Sequence, residues 1–364
     1  MGGVLVGVPA EVKDHEAWVA RTPEGGRELT AHGHRVLVER GAGEGSSLHD
    51  EGYVEAGAEL VDVDDAWAAE LVVKVKEPQA DELARLRDDL VLFTFLHLAA
   101  YPKVADALLA AGTTALAYET VQLDSGALPL LAPMSEVAGR MAPQIGAHWL
   151  EAENGGRGVL LGGAPGVRPA RVVVPGAGNV GWNAAWIAAG MEAEVLLLDK
   201  DLDRLRWVDQ IHKGRIMTLA SNRGAVERAV AGADLVIGAV LVPGGRAPVV
   251  VTEEMVAGMK RSAVVVDVAI DQGGCIETIH ETSHTDPVYL AHDVVHYAVG
   301  NIPGAVPHTS TSSLTHATLS YVLEVAELGV ERAVGTHTAL ARGLTTAKAE
   351  VVNPVVAEAL GRGR

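Results

Sequence analysis

The stretch that decides the fold of this chain is RVVVPGAGNVGWNAAWIAAGMEAEVLLLD, residues 171–199. A short β-branched run at 172–174 predicts a buried strand, and a helical pattern covers 183–191. A second apolar run at 195–198 predicts the next strand, which ends in Asp199. Together these segments predict one strand–helix–strand unit, in which the two strands are parallel neighbours in one sheet.

Three glycines separate the first strand from the helix at the spacing G-x-G-x-x-G, namely Gly176, Gly178 and Gly181. The first permits a tight turn, the second lets backbone amides approach a pyrophosphate, and the third lets the helix pack on the strand. The unpaired N–H groups at the start of a helix favour an anion. This pattern therefore predicts a dinucleotide site, because strand, glycines and helix occur in the required order.

Asp199 indicates which dinucleotide is bound. It lies 18 residues beyond Gly181, at the predicted end of the next strand. A carboxylate there can accept hydrogen bonds from the adenosine ribose hydroxyls and repels a 2′-phosphate, which favours NAD over NADP. Lys200 follows Asp199 directly and is the kind of cation that an NADP site uses, so NADP remains the alternative.

The composition limits the partners and the compartment. The 364 residues suffice for two domains of ordinary size. A net charge of −18 argues against nucleic acid and anionic membranes as partners, because phosphates need basic side chains to neutralise them. Cys275 is the only cysteine, which excludes an internal disulfide and fits a reducing compartment. Since the sequence shows neither a signal-like leader nor a run of about eighteen apolar residues, we expect a soluble, cytoplasmic protein that acts on a small molecule.

The rest of the chain alternates strands and helices. Apolar runs at 4–8 and 36–39 predict strands, and Thr22 followed by Pro23 predicts the start of a helix. We therefore expect an α/β protein of two doubly wound domains, one a Rossmann dinucleotide-binding domain and the other an α/β substrate domain. Three helices are predicted to end the chain, over 309–328, 330–342 and 348–360.

Two predicted strands of the first domain end in side chains that can do chemistry. The strand LVVKVK, 71–76, ends in Lys76, and the strand VLFTFLHL, 91–98, carries His97 near its end. Ligands of open α/β sheets bind beyond the carboxyl ends of the strands, so a cation and an imidazole would both lie at the substrate edge. Each residue alone has an ordinary explanation, a solvated strand end for Lys76 and a core position for His97.

A third candidate is Asp271, which ends a predicted strand over 264–271 in the dinucleotide-binding domain. The same rule brings its carboxylate to the cofactor edge, and the alternative is a turn aspartate in D-Q-G-G. The sequence H-E-x-x-H, from His280 to His284, matches a zinc-binding pattern. Poor helix formers and Pro287 conflict with the helix that this pattern needs, so we expect no metal site.

Successive blocks of the chain resemble alanine dehydrogenases, within the alanine dehydrogenase and transhydrogenase superfamily. The blocks are GVPAEVKDHEAWVARTP, LVVKVKEP, LFTFLHLAA, AYETVQ, LPLLAPMSEVAGR, GAGNVG, DLVIGAVLVPG, VDVAIDQGGC and PHTSTSSLTHATLSYVLE, and they span nearly the whole chain. The resemblance implies a hexameric NAD enzyme with its active site in the cleft between two domains. It implies a substrate domain of residues 1–134 and 305–364, completed by the C-terminal helices, and a Rossmann NAD-binding domain of residues 135–304.

The resemblance also implies the roles of individual residues. The family's substrate lysine falls on Lys76, its catalytic histidine on His97 and its catalytic aspartate on Asp271. Lys76 would hold the substrate carbonyl or carboxylate, and His97 would shuttle protons around the hydride transfer. Ser135 is predicted to cap the helix over 136–150 that leads into the NAD-binding domain. The implied cofactor contacts are Ser135, Gly176, Gly178, Asn179, Val180, Gly181, Asp199, Ser221, Val240, Leu241, Ile270 and Ile302.

One position departs from the family pattern. The family has N-E-x-R-V-A in the first block, and its arginine clamps the substrate carboxylate, whereas this chain has H-E-A-W-V-A with Trp18 in that place. An indole supplies neither the charge nor the bidentate geometry of a guanidinium, and losing such a partner costs about 2–5 kcal/mol of binding. Arg21, three residues further on, is the candidate replacement; the alternative for Trp18 is a packing role alone.

Three functions remain open. The first is an NAD-dependent amino-acid dehydrogenase or imine reductase of the alanine dehydrogenase type, acting on a CH–NH or C=N bond of a substrate other than alanine, with Trp18 as an apolar wall. The alternative is a true L-alanine dehydrogenase, in which Lys76 and Arg21 hold the carboxylate. The third is a non-catalytic, transhydrogenase-like dinucleotide-binding subunit. The presence of Lys76, His97 and Asp271 argues against the third, because a binding subunit needs none of them.

Overall fold

The computed structural model describes residues 3–13, 16–240 and 247–362. The chain divides into two compact units, one of Met1–Met134 with Val306–Arg364 and the other of Ser135–Ala305. Each unit is built on one mainly parallel sheet with helices packed against it.

Strands and helices alternate along the described part of the chain. The strands are β1 (Leu5–Val8), β2 (Arg35–Glu39), β3 (Glu59–Val61), β4 (Leu71–Val73), β5 (Val91–Thr94), β6 (Thr114–Ala117), β7 (Arg171–Pro175), β8 (Glu194–Asp199), β9 (Ile216–Ala220), β10 (Leu235–Gly238), β11 (Val264–Asp267), β12 (Val288–Ala291), β13 (Val294–Tyr297), β14 (Leu344–Ala347) and β15 (Glu350–Val351). The α-helices are α1 (Pro23–Ala31), α2 (Asp50–Glu55), α3 (Val63–Trp67), α4 (Pro102–Ala111), α5 (Ala132–Trp149), α6 (Asn179–Gly190), α7 (Leu202–His212), α8 (Arg223–Ala231), α9 (Glu253–Ala257), α10 (Pro307–Leu328), α11 (Val330–Thr336), α12 (Thr338–Gly343) and α13 (Pro354–Ala359). Short 3₁₀ helices lie at Glu44–Ser46, Ala80–Arg85, Tyr118–Thr120, Ala152–Asn154, Ile270–Gln272 and Ile302–Ala305.

Several helices begin directly after a residue whose side chain caps the first turn. Thr22 caps α1 by accepting a hydrogen bond from the backbone N–H of Gly25 at 3.2 Å, and Pro23 occupies the first helical position. Asp201 and Asn222 cap α7 and α8 in the same way. Gly329 follows the last residue of α10, as the sequence predicts.

In the first unit, eight strands of the described chain form one sheet in the order β15-β14-β6-β5-β4-β1-β2-β3. β1 to β6 pair in parallel, whereas β14 and β15 are antiparallel additions at one edge. Val72, Leu92 and Leu116 on the central strands are fully buried, as a parallel sheet with both faces covered requires. This unit has the predicted α/β fold.

The end of the chain differs from the prediction. The predicted helix over 330–342 is two helices, which meet at His337. Of the predicted helix over 348–360, only residues 354–359 are helical, as α13, and residues 348–351 form the turn and second strand of the β14–β15 hairpin. Lys348 and Ala349 have φ angles of 51° and 60° and form the two-residue turn of the hairpin. The prediction was wrong because β14 pairs with the distant strand β6, and such tertiary pairing outweighs local helix propensity.

In the second unit, seven strands of the described chain form a sheet in the order β12-β13-β11-β10-β7-β8-β9. Counted from β9, the six parallel strands have the chain order 3-2-1-4-5-6, which defines a Rossmann fold. β12 is an antiparallel edge strand on β13. The order reverses between β7 and β10, so the carboxyl ends of these strands flank the position where this fold binds a dinucleotide. The predicted Rossmann domain is confirmed.

Several predicted boundaries are wrong by three or four residues. β4, β5 and β11 end at Val73, Thr94 and Asp267, before the predicted ends at 76, 98 and 271. Beyond each strand, backbone N–H groups turn away from the ladder and donate to a carboxylate, that of Glu11, Glu119 or Asp267. Past β4 and β5 the apolar pattern continues and does not mark the strand end, whereas at β11 the run of three valines stops at Asp267.

α5 and α6 each begin four residues earlier than the sequence predicts. α5 begins at Ala132, so Ser135 lies inside the helix and is not its N-cap. The earlier start is favoured by Pro133 in the first turn, where proline loses no hydrogen bond, and the N–H of Ala132 donates to the carbonyl of Leu128 at 2.9 Å. α6 begins at Asn179 instead of residue 183, which brings Gly181 into its first turn.

Candidate active site and cofactor site

The glycine turn between β7 and α6 has the geometry of a phosphate cradle. Gly176 has φ 102°, and a Cβ there would lie 2.6 Å from the carbonyl oxygen of Ala239. A Cβ on Gly181 would overlap the carbonyl oxygen of Gly176. Gly178 is the N-cap of α6 and brings no side chain to the first N–H groups of the helix, and Nη1 of Arg204 lies 3.7 Å from the position of a Cβ on Gly178. These residues fit a bound dinucleotide pyrophosphate.

Asp199 ties the end of β8 to this turn. Its Oδ2 atom accepts from the backbone N–H of Ala177 at 2.6 Å, and its Oδ1 atom accepts from that of Asp201 at 2.8 Å. Its own carbonyl oxygen accepts from the N–H of Ser221, which follows β9. The carboxylate is therefore held beside the glycine turn, where the sequence predicts its contact with a ribose.

The structure brings most predicted cofactor residues to one edge of the second unit. Asn179 and Val180 lie in the first turn of α6, and Val240 follows β10, with its Cγ2 3.1 Å from the position of a Cβ on Gly176. Ile270 and Ile302 are buried in short 3₁₀ helices of the same unit. Leu241 lies outside the described residues. Contact of each of these residues with NAD stays a prediction.

Lys76 lies between an acid and an aromatic ring in the first unit. Its Nζ atom is 3.3 Å from Oε1 of Glu16 and 5.3 Å from the centre of the Trp18 ring. Burial raises the pKa of Glu16 to about 7, and the charge of Lys76 opposes this rise. Sequence reasoning missed Glu16, although it lies in the same block as Trp18.

Lys74, two residues earlier, has a different role. Its side chain is fully buried, and its Nζ atom lies 2.7 Å from Oε1 of Glu82 and 3.2 Å from Oε2 of Glu11. Glu11 also accepts from the backbone N–H groups of Val75 and Lys76. Burial raises the pKa of Glu11, and Lys74 opposes this effect. This buried cluster fixes the segment that carries Lys76.

His97 is fixed by its backbone and by a ring contact. It has φ 44°, and its N–H donates to Oε1 of Glu119 at 2.6 Å. Its ring stacks on Phe95 with the centroids 5.6 Å apart. Nδ1 is 4.0 Å from Oε1 of Glu119, which is too long for a hydrogen bond. Since 43% of the side chain is exposed, the imidazole can reach a ligand.

Trp18 and Arg21, the two substrate candidates of the first block, are both buried. Trp18 is 2% exposed and packs on Lys76. The Nη1 atom of Arg21 donates to the carbonyl oxygen of Thr315 at 3.3 Å and to Oγ1 of Thr318 at 2.8 Å, both on α10. Within the described residues, its Nε and Nη2 atoms have no hydrogen-bond partner. Binding of the substrate by Arg21 stays a prediction.

Replacing Arg21 with methionine is expected to raise the free energy of unfolding by about 1–4 kcal/mol, because an apolar side chain of similar volume removes an incompletely bonded buried charge. Thr318 keeps its hydrogen bond to the carbonyl of Leu314. Urea denaturation at fixed protein concentration measures the change. Arg21→Lys serves as the control and should give no gain. A loss of stability together with a raised KM for the amino acid would instead show that Arg21 binds the substrate carboxylate.

Asp271 lies in a 3₁₀ turn beyond β11, and its Oδ1 atom accepts from the backbone N–H of Asn301 at 3.3 Å. The residue that ends β11 is Asp267, which sequence reasoning missed. Its carboxylate is buried and accepts three backbone hydrogen bonds, from Ala269, Cys275 and Ile276. The signal was present in the sequence, since the run of three valines stops at Asp267.

The residues of the H-E-x-x-H pattern are not helical. The ring of His280 stacks on that of Tyr289, with the centroids 3.6 Å apart. In residues 3–13, 16–240 and 247–362, no group of three histidine, cysteine or acidic side chains is arranged to hold a metal ion. Across the same residues, no helix is both long enough and apolar enough to cross a membrane.

Comparison with known proteins assigns both units. The family model described as "Alanine dehydrogenase/PNT, N-terminal domain" matches residues 7–138, and the one described as "Alanine dehydrogenase/PNT, C-terminal domain" matches residues 142–354. Alanine dehydrogenase of Mycolicibacterium smegmatis is 54% identical over 359 residues, which cover 98% of this chain and 97% of that protein. Alanine dehydrogenase of Bacillus subtilis is 53% identical over 360 residues, covering 98% and 95% of the two chains.

Solved structures agree. A structure titled L-alanine dehydrogenase superposes with a TM-score of 0.95 at 48% identity and covers 98% of this chain and 99% of its own. A transhydrogenase from Sinorhizobium meliloti gives a TM-score of 0.83 at 26% identity, covering 96% of this chain and 99% of its own.

The Rossmann unit, the family models and the relatives identify an NAD-dependent oxidoreductase, an enzyme of the amino-acid dehydrogenase class. The chain belongs to the alanine dehydrogenase/PNT family, since the family models match both units and the relatives match nearly the full length.

Proposed function

We propose that this protein is an L-alanine dehydrogenase, which converts L-alanine, NAD⁺ and water to pyruvate, ammonium, NADH and a proton. The observation that carries the proposal is the placement of Lys76 and His97 just beyond two neighbouring parallel strands, β4 and β5. The close, full-length relatives named alanine dehydrogenase support it. This reverses the order of the two enzyme hypotheses drawn from the sequence, because those relatives favour alanine over a larger substrate.

The side chains fit the proton transfers of this reaction. NAD, when bound, accepts the hydride from the α-carbon of the amino acid. Lys76 offers a positive charge to the substrate carboxylate. Glu16 and Trp18 keep the ammonium group of Lys76 in place. His97 can take up a proton from the water that attacks the imine and return one in the reverse direction. Asp271 is the candidate carboxylate of the second unit.

A second candidate function is reduction of a C=N bond, or deamination, with a substrate larger than alanine. The observation that favours it is the buried indole of Trp18 beside Lys76, in the place where the family pattern has arginine. An apolar wall there would suit a bulky side chain better than a small carboxylate. The non-catalytic, transhydrogenase-like role is the least supported. Lys76 and His97 lie just beyond strands β4 and β5, and a binding subunit needs neither side chain.

The experiment is a comparison of NADH oxidation with pyruvate plus ammonium and with a panel of larger keto acids, aldehydes and preformed imines. Turnover that is fastest with pyruvate is the expected result. Activity only with the larger compounds would overturn the proposal in favour of the second candidate. Trp18→Arg should raise kcat/KM for alanine by about 10-fold or more if a carboxylate clamp is what the site lacks. Trp18→Phe is the matched control and should give no gain.

We also propose that the enzyme works as a homo-hexamer in the cytoplasm, as the family resemblance implies. Trp186 and Trp207 of the second unit are 40% and 48% exposed, and such exposed aromatic surface supports self-association. The buried thiol of Cys275 suits a reducing compartment. Light scattering on the purified protein should give a mass of six times 37.9 kDa; a monomer mass would refute this assembly.

A further inference from the structure

The loop that carries Asp271 is held at both ends by one buried carboxylate. Asp267, the last residue of β11, accepts at Oδ1 from the N–H of Ala269 at 2.9 Å. Its Oδ2 atom accepts from the N–H groups of Cys275 at 2.8 Å and Ile276 at 3.1 Å. The carboxylate therefore bridges the entry and the exit of the loop, and Asp271 lies between them.

The surroundings of Asp267 leave room for this carboxylate and for little else. A Cβ on Gly238 would lie 3.0 Å from Oδ1 of Asp267, and a Cβ on Gly274 would lie 3.0 Å from Oδ2. Gly273 and Gly274 have φ angles of 88° and 74°, in the left-handed region that favours glycine. Gly238 and Gly274 thus face the carboxylate directly. The positive φ angles of Gly273 and Gly274 turn the chain back towards Asp267.

Burying this carboxylate requires compensation. Asp267 is fully buried, and burial raises its pKa to about 6, against the effect of the three backbone hydrogen bonds. Burying a charge only to end a strand costs more free energy than burying a neutral group, and a hydroxyl or amide could accept hydrogen bonds from the same N–H groups. Two carboxylate oxygens, however, can fix three donors from both ends of a loop at once.

We propose that Asp267 is a positioning residue, which holds the loop of residues 268–276 so that Asp271 and Ile270 are presented to the reacting groups. The proposal rests on the proposed dehydrogenase function for its consequence, but the holding of the loop can be tested without it. The geometry is the same kind that fixes Lys76 and His97, whose backbone N–H groups donate to Glu11 and Glu119.

The chain contains a reporter for this loop. Cys275 is the single cysteine of the sequence and is fully buried, and its Sγ atom lies 3.8 Å from Oδ1 of Asp267. A thiol reagent can reach it only when the loop opens. The rate of labelling by an aromatic disulfide reagent therefore measures how firmly Asp267 holds residues 268–276.

The test uses Asp267→Asn, which keeps the shape of the side chain but turns one acceptor into a donor that faces an N–H group. We expect labelling of Cys275 to accelerate by at least about 10-fold, because the loop opens more often. We expect kcat to fall roughly 10- to 100-fold from misplacement of the site, with the KM for the amino acid changed far less. Asp209→Asn, an exposed residue on α7, is the matched control and should change neither.

The outcomes separate the two proposals. Labelling that is equal in Asp267→Asn and the native protein would overturn the inference, whichever substrate the enzyme uses. Faster labelling with an unchanged kcat would also overturn the inference, because loosening the loop would then have no effect on the reaction. A native protein that is inactive with alanine but active with a larger substrate would refute only the proposed function. The kcat values of Asp267→Asn and the native protein would then be compared using that larger substrate.

Discussion

Replacing His97 with asparagine is expected to lower kcat for alanine oxidation by about 10²- to 10⁴-fold, the usual contribution of a general acid–base group. The amide of asparagine cannot take up or release the proton that we propose the imidazole transfers. Asparagine is the appropriate replacement because His97 has φ 44°, and asparagine tolerates this region better than most residues. The N–H bond to Glu119 and the course of the backbone should therefore survive.

The control for this experiment is His49→Asn. His49 lies before α2 in the same unit, and 67% of its side chain is exposed. Its pairing with Glu44 is a surface contact of small energetic value, so activity should stay at the native level. Both variants should bind NADH with unchanged affinity, measured by fluorescence, because the glycine cradle lies in the other unit. A kcat for His97→Asn within about threefold of the native value would exclude acid–base catalysis by this residue.

The sequence was most informative where chemistry depends on chain topology. The glycine turn and the apolar runs around it predict the Rossmann unit, because each glycine has a local steric reason that a single sequence displays. The placement of Lys76 and His97 at one edge could be predicted for a similar reason, since residues after parallel strands share that edge whatever the details of packing.

The sequence was least informative where the partner of a residue is distant along the chain. The pattern around Lys74 does not show that it is a buried structural cation, because its contact with Glu82 has no sequence signature and its other partner, Glu11, lies in the first block. The strand ends were misplaced for the same reason, since Glu11 and Glu119 receive the N–H groups that leave the ladder. The hairpin at the end of the chain was missed because β14 pairs with β6, a contact that leaves no local pattern in the sequence.

Replacing Lys74 with methionine is expected to lower the free energy of unfolding by about 3–5 kcal/mol at neutral pH, the cost of removing one partner from a buried ion pair. Methionine has nearly the length of the lysine stem, so the loss reports on charge more than on volume. The carboxylates of Glu11 and Glu82 would remain buried without the ammonium group that lies 3.2 Å and 2.7 Å from them. Urea denaturation measures the loss, with Lys103→Met on the exposed surface of α4 as the control.

The loss should depend on pH in a defined direction. Burial raises the pKa of Glu11 above 4.5, and Lys74 opposes that rise, so the variant should have a still higher pKa for Glu11 in the folded state. The folded variant then binds a proton at pH values where the unfolded chain, with its ordinary pKa, does not. Its stability relative to the native protein must therefore increase as the pH falls through the raised pKa towards 4.5.

This pH dependence distinguishes a charge effect from a packing defect. A cavity or a clash left by methionine would lower stability by the same amount at every pH, because no proton is exchanged. If the difference between Lys74→Met and the native protein stays constant from pH 8 to pH 5, the cluster of Lys74, Glu11 and Glu82 does not act through charge. If the difference shrinks with acidification, Lys74 is the counter-ion that lets Glu11 remain ionised, and an ionised Glu11 can hold the backbone N–H groups of Val75 and Lys76.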